Sequence, residues 1–320
     1  MSGVLRPELL TELSRLYPNA RHETLVGDAS ARRFHRLFLA AGGTRVVMDY
    51  GAPFQVETDD VRLARIFDRA SIPVARVIDI LPAAGALVLE DLGDQTLEGA
   101  PVRGDLYRSA VRVAADIAAR GTKALAGSDR AHGPALDEAK FLFEMGFFLE
   151  HYVGSYLGRS GDALREGVEA LAREAASHPR VLCHRDYHSR NIMVRPDGAL
   201  ALVDIQDARW GPDTYDLASL LRDAYVDLSE ADVDALFEFY RNQLPESPDR
   251  REFRARFDLV ATQRMLKALG TFGYQVAVLG RERYRNSIDR TLSRLARLLP
   301  ANTQTAPLAE ELRRAGVLSP

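Results

Sequence analysis

Short apolar runs punctuated by turn residues open the chain: around residues 22–27, 32–39, 44–49, 76–81 and 86–90, stretches rich in Val, Leu and Phe have the length of strands. Together they predict one antiparallel sheet. Between the third and fourth runs, VETDDVRLARIFDRA sets Val61, Ala64 and Phe67 at helical spacing, and Ser71 to Pro73 closes that helix. From about residue 100 the period becomes helical, apart from a strand-rich island between residues 181 and 205. The pattern predicts an α+β protein with a small antiparallel-sheet lobe carrying one helix, residues 1–93, and a larger, mainly helical lobe, residues 94–320. A cleft between such lobes would suit a ligand. No internal repeat is present, and the closing ANTQTAPLAEELRRAGVLSP reads as a loosely held tail with one short helix.

Composition narrows the function classes. With 46% hydrophobic and 27% charged residues the chain is globular in type, and no apolar run reaches the roughly 18–20 residues of a membrane span. The opening VLRPELLTELSRLY is an amphipathic helix bearing acids and arginine, unlike a signal peptide, so a cytoplasmic protein without a membrane partner is expected. A single cysteine, Cys183, excludes an internal disulfide or a cysteine-built zinc site and reads as a buried small hydrophobe. A net charge of -3 argues against a nucleic-acid partner. Only three lysines, Lys123, Lys140 and Lys267, stand among the 42 basic residues, so chemistry that needs a lysine has few candidates.

The island carries the chemistry. His184-Arg185-Asp186, four residues and then Asn191 have the spacing of a phosphoryl-transfer loop, in which one carboxylate orients and accepts a proton from the attacking hydroxyl while an amide oxygen nearby holds a metal. Asp186 is the candidate catalytic base. After Asn191 come IMV, a Pro196-Asp197-Gly198 turn, ALALV and Asp204: two strands of a hairpin with a second oxygen ligand at its far end. Asn191 and Asp204 are therefore the candidate Mg2+ ligands, since magnesium needs only one or two protein oxygens besides the phosphates.

HRDYHSRNIMV followed by LVDIQDARWGPDTYDLASLLRD resembles the aminoglycoside and choline kinase superfamily. GDASARRF, VVMDYGAP, LVLEDLGD and QRMLKALGTFGYQ extend the resemblance, most closely to bacterial anomeric kinases for N-acetylmuramate and N-acetylglucosamine in cell-wall recycling. The resemblance covers most of the chain and implies a protein-kinase-like two-lobed fold, ATP and Mg2+ as cofactors, and an amino sugar as acceptor. It also implies a nucleotide end. The link after the fifth strand would present main-chain groups of Glu90 and Leu92 to adenine, and the loop between the first two strands would bring Ser30 and Arg33 to phosphate. The third strand of the superfamily normally carries a lysine, where this chain has Asp49, kept as a candidate of the nucleotide end, and residues 1–100 contain no lysine; an arginine of the phosphate loop, Arg33 first and Arg32 second, is the expected replacement cation.

Acceptor-side candidates lie in the second part of the chain. Asp207 follows Asp204 by three residues, His151 sits in the aromatic run FLFEMGFFLEHYVGSY, and Arg264 and Lys267, three apart on one helical face, would meet the lactyl carboxylate of N-acetylmuramate. Asp216 is expected to anchor the catalytic loop rather than react. An aminoglycoside, choline-like or homoserine-like acceptor and a catalytically dead nucleotide-binding module stay open as alternatives. A monomer is expected.

Overall fold

A computed structural model describes residues 5–25, 32–55, 57–100 and 104–318, and the chain divides into two compact units, residues 1–95 with 193–206 and residues 96–192 with 207–320. The elements begin with α1 (Pro7–Leu16), β1 (Arg21–Leu25), β2 (Arg33–Phe38), β3 (Thr44–Asp49), α2 (Asp59–Arg69), β4 (Val77–Leu81) and β5 (Ala86–Glu90). Next come α3 (Gly104–Asp116), α4 (Thr122–Ala126), α5 (Glu138–Phe147), α6 (Arg165–Ser177), β6 (Arg180–Cys183), β7 (Ile192–Val194), β8 (Leu200–Leu202) and β9 (Arg209–Pro212). Helices α7 (Tyr215–Leu221), α8 (Glu230–Arg241), α9 (Arg250–Gly273), α10 (Arg285–Leu298) and α11 (Ala306–Arg314) complete the fold.

The first unit is an antiparallel sheet in the order β1-β2-β3-β5-β4. Successive side chains of a strand point to opposite faces, and β3 and β5 use both. The opposed pair Val47 and Val88 lies in a core with Leu9 and Leu13 of α1, whereas the next pair, Met48 and Leu87, packs with Val61 of α2. The hairpin of β7 and β8 turns at Gly198, with φ at 81°, a conformation glycine adopts without a Cβ clash. It is tied to the sheet's surroundings: the Ala75 amide donates to the Leu202 carbonyl at 3.1 Å, the Leu202 amide donates to Pro73 at 2.8 Å, and Met193 and Ala201 pack on Leu92.

The second unit is mainly helical and organised on α9, which is buried continuously from Phe257 to Gln263 and packs on α7, α10 and α5 with its π-helical continuation, Phe148–Tyr156. Glycines permit the closest of these crossings. A Cβ on Gly270 would stand 2.9 Å from the Phe148 Cα, and one on Gly273 would stand 2.7 Å from the His151 carbonyl oxygen.

Two segments differ from the sequence reading. Residues 209–212 form a strand, β9, paired antiparallel with β6, although Trp-Gly-Pro is poor strand material; Gly211 fits there because a Cβ would strike Leu136 at 2.8 Å and Cys183 at 3.0 Å. The closing segment is not loosely held: Leu308, Leu312, Val317 and Leu318 are buried, and the Asn302 side chain donates to the Ala255 carbonyl at 3.1 Å. Cys183 is buried, and burial raises its thiol pKa well above the ordinary value. Among the described residues, no helix is long and apolar enough to cross a membrane.

Candidate active site

The loop from His184 to Asn191 leaves β6 and is held by backbone captures rather than by regular structure. Arg185 sits at φ 79°, an uncommon conformation for a residue with a Cβ, so its peptide groups need fixed partners. They have them. The buried Asp216, at the start of α7, accepts the His184 amide at 2.6 Å and the Arg185 amide at 3.0 Å, which is the anchoring role its position suggested. The Arg264 guanidinium donates to the Arg185 carbonyl at 2.9 Å. Further along, the buried Asp223 accepts the Ser189 amide at 2.8 Å together with its hydroxyl, and the Tyr187 hydroxyl donates to the Ala110 carbonyl at 2.7 Å. Arg190 forks onto Glu98 at 2.8 and 3.1 Å.

Between these anchors stands Asp186. Its carboxylate is 27% exposed, with Lys267 Nζ 3.3 Å from Oδ1 and an Arg185 nitrogen 3.9 Å from Oδ2. Burial opposes its charge, but Lys267 first, then Arg185 and Arg264, outweigh that and hold the carboxyl well below the usual carboxylate range. Asp186 and Lys267 face one pocket of about 180 Å³, which His188, Ser219, Tyr225 and Phe272 also line. The Asn191 side-chain amide donates to the Asp186 carbonyl at 3.0 Å, which orients it so that Oδ1 is left as an oxygen donor. An ionised carboxylate facing a polar pocket, beside an oriented amide oxygen, is an arrangement able to align a hydroxyl acceptor.

Residues 22–255 match the model of the family described as the phosphotransferase enzyme family. The chain belongs to it. The phosphotransferase is 31% identical to the N-acetylmuramate/N-acetylglucosamine kinase of Pseudomonas aeruginosa, covering 90% of this chain and 87% of that protein. It is 28% identical to the protein of the same description from Neisseria meningitidis serogroup B, covering 92% of this chain and 91% of that one. Among solved structures, the ethanolamine kinase of Plasmodium vivax superposes with a TM-score of 0.60 at 13% identity, covering 94% of this chain and 97% of that one, so the two share a fold. That fold is the protein-kinase-like one, and the reaction is phosphoryl transfer to an alcohol-type acceptor.

The remaining candidates of the phosphotransferase fall into distinct settings. Arg264 also lines the pocket at Asp186; its guanidinium lies 4.4 Å over the Tyr215 ring and bonds the Arg185 carbonyl, so it braces the loop as well as edging the pocket. Asp207 is matched by two arginines, Arg209 at 2.6 Å and Arg185 at 3.0 Å. His151 packs edge-on against Phe147 at 4.1 Å and Tyr274 at 5.0 Å and does not line the pocket at Asp186. Asp204 is exposed, at φ 64°, with the Gln206 amide donating to Oδ1 at 2.9 Å. Carboxylate and amide oxygens are hard donors of the kind magnesium prefers; among the described residues there is no group of three or more His, Cys, Asp or Glu that could hold a metal.

At the nucleotide end, the Glu90 side chain bonds Arg195 at 2.9 Å and Arg76 at 3.2 Å, and Leu92 buries its side chain on Met193 and Ala201. Arg33 is exposed at the start of β2, and Ser30 lies outside the described residues. Asp49 turns away from a phosphate role: it is 1% exposed, with Arg6 Nη2 at 2.6 Å and the Gly51 amide at 2.8 Å, while Arg6 also reaches the Ala84 carbonyl. Burial opposes the Asp49 charge, yet Arg6 and Gly51 hold its pKa below the ordinary value.

Sequence reasoning missed two groups that shape the site. Asp223 holds the far end of the catalytic loop, and the buried Glu144 takes the Gln263 amide at 2.9 Å with Arg185 3.6 Å away. Asp223 closes the quoted LASLLRD motif and was findable from it; Glu144, 41 residues before Arg185, carried no local signal.

Proposed function

We propose that this phosphotransferase moves the terminal phosphoryl group of ATP to the anomeric hydroxyl of N-acetylmuramate, N-acetylglucosamine or both, giving a sugar 1-phosphate for peptidoglycan recycling in the cytoplasm. The observation that carries the reading is the ionised Asp186 facing a pocket from a loop pinned on both sides, in a chain whose relatives are named as kinases of those sugars.

In this reading Asp186 aligns the acceptor hydroxyl and takes its proton as the bond from the acceptor oxygen to phosphorus forms and the bond from phosphorus to the ADP oxygen breaks. An anomeric hydroxyl is more acidic than other sugar hydroxyls, which suits a carboxylate whose own basicity is lowered by nearby cations. Magnesium, held by Asn191 and Asp204, would supply charge neutralisation on the phosphates. The main-chain groups of Glu90 and Leu92 would meet adenine, and Arg33 with Ser30 the phosphates. Asp207 and Lys267 remain the groups nearest to an acceptor role, and the enzyme works as a monomer.

The test is product analysis. Phosphorus NMR after incubation with ATP, Mg2+ and each sugar should show a phosphate on the anomeric carbon, and Asp186→Asn should cut turnover by about a thousandfold or more with folding intact. Near-normal turnover in that variant sinks the assignment of Asp186. ADP release with aminoglycosides or choline but not with the sugars moves the acceptor to another class, and no turnover with any acceptor leaves a nucleotide-binding module.

A further inference from the structure

The chain uses arginine almost everywhere it needs a cation around the catalytic loop: Arg185, Arg190, Arg209 and Arg264 each bond a carboxylate or carbonyl there. At the carboxylate of Asp186 the hydrogen-bonding cation is one of its three lysines, Arg185 standing further off at 3.9 Å. The difference is physical. A guanidinium is a planar fork that grips both carboxylate oxygens at once, whereas an ammonium is a compact charge on a flexible stem that can hold one oxygen and leave the other open. Lys267 grips one oxygen, standing 3.3 Å from Oδ1 with its side chain 19% exposed on the wall of the pocket that Asp186 faces, while Oδ2 has only the more distant Arg185 guanidinium at 3.9 Å.

The supporting helix is organised around the same loop. On α9, Gln263 bonds Glu144, beside which Arg185 lies at 3.6 Å; Arg264 bonds the Arg185 carbonyl; Lys267 bonds Asp186. Residues four apart on a helix share a face, so Gln263 and Lys267 lie on one side of α9, Lys267 reaching the loop directly and Gln263 through Glu144, with Arg264 beside them. Neither Gln263 nor Arg264 has a polar atom on the Asp186 carboxylate, so Lys267 is the member of this trio that fixes the reacting group itself.

We propose that Lys267 is a positioning residue for phosphoryl transfer: it holds Oδ1 of Asp186 in a single-point grip, which aims Oδ2 at the acceptor hydroxyl. The proposal rests on the reading of Asp186 given above. It differs from the expectation that Lys267 serves acceptor affinity, because a positioning group acts on kcat and a binding group on KM.

Lys267→Met keeps the length of the stem and removes the charge, and Lys267→Ala opens space for an added amine. Both should lower kcat by about a hundredfold while KM for ATP and sugar stays within about threefold, the loss expected when a reacting group is displaced by about 1 Å. Ethylammonium should restore part of the kcat of Lys267→Ala. Lys267→Arg should remain impaired despite its charge, because the fork occupies both oxygens of Asp186. In the background of Asp186→Asn, adding Lys267→Met should cost nothing further.

Wild-type kcat in Lys267→Met, a loss confined to the KM of the sugar, or full activity in Lys267→Arg each overturns the proposal. If Lys267→Ala unfolds, Lys267→Met and Lys267→Arg still decide it. The two readings separate cleanly: normal turnover in Asp186→Asn defeats the proposed function itself, whereas an inactive Asp186→Asn beside a fully active Lys267→Met defeats only the role of Lys267.

Discussion

At the scale of single residues, Asp49 stands where the wider superfamily resemblance leads one to expect a lysine, and its carboxylate is turned to the N-terminal helix and sealed by Arg6. Such a pair is asymmetric. Removing the cation leaves a nearly fully buried charge without compensation, which costs about 3–5 kcal/mol. Arg6→Ala should therefore lower stability by that order in urea unfolding followed by circular dichroism, and Asp49→Asn in the same background should recover part of the loss. The pair joins positions 43 apart, and no local pattern announces it. The catalytic motif was legible for the opposite reason. Asp186 and Asn191 belong to one short loop, so their spacing along the chain alone is enough to mark them as candidates.

At the scale of elements, the five strands of the small sheet were legible to within about two residues because short runs rich in Val, Leu and Phe end at turn residues; alternating burial adds to the signal in β2 and β4, while β3 and β5 bury both faces. Strand β9 was not legible, since its pairing with β6 is decided by the space beside Leu136 and Cys183 rather than by propensity. The long helix α9 was visible as a helix, while its two glycines acquire meaning only beside the segment they cross. Gly270→Ala drives a methyl to 2.9 Å from the Phe148 Cα and should destabilise by about 1–3 kcal/mol. Gly146→Ala, on α5 where a Cβ meets nothing within 4 Å, should instead stabilise by up to about 1 kcal/mol. Differential scanning calorimetry of the two variants checks both signs, and equal shifts would contradict the packing argument.

At the scale of the whole molecule, buried titratable groups set how stability follows pH. His178, just past α6, is 7% exposed; burial, and after it Arg256, pushes its pKa down from 6.5 to about 4, although Glu174 lies 3.9 Å away. Between those values the unfolded chain binds a proton that the folded chain refuses, so stability declines as pH falls through the window and is unaffected by this group above it. The full effect is about 3 kcal/mol. His178→Gln should flatten the slope of unfolding free energy between pH 6.5 and 4, read from urea titrations at several pH values. An unchanged slope would remove His178 from the account.

The first unit is also assembled out of chain order. Its sheet is complete by residue 95, but the hairpin that covers Leu92 and takes the backbone groups of Pro73 and Ala75 comes from residues 193–206. During translation, at about 5–20 residues per second, roughly 5–20 s separate the emergence of the two pieces. Over that interval the nascent sheet holds an unfilled apolar seam and two unmet peptide groups on the ribosome, so its final closure must wait for the catalytic loop to have been made.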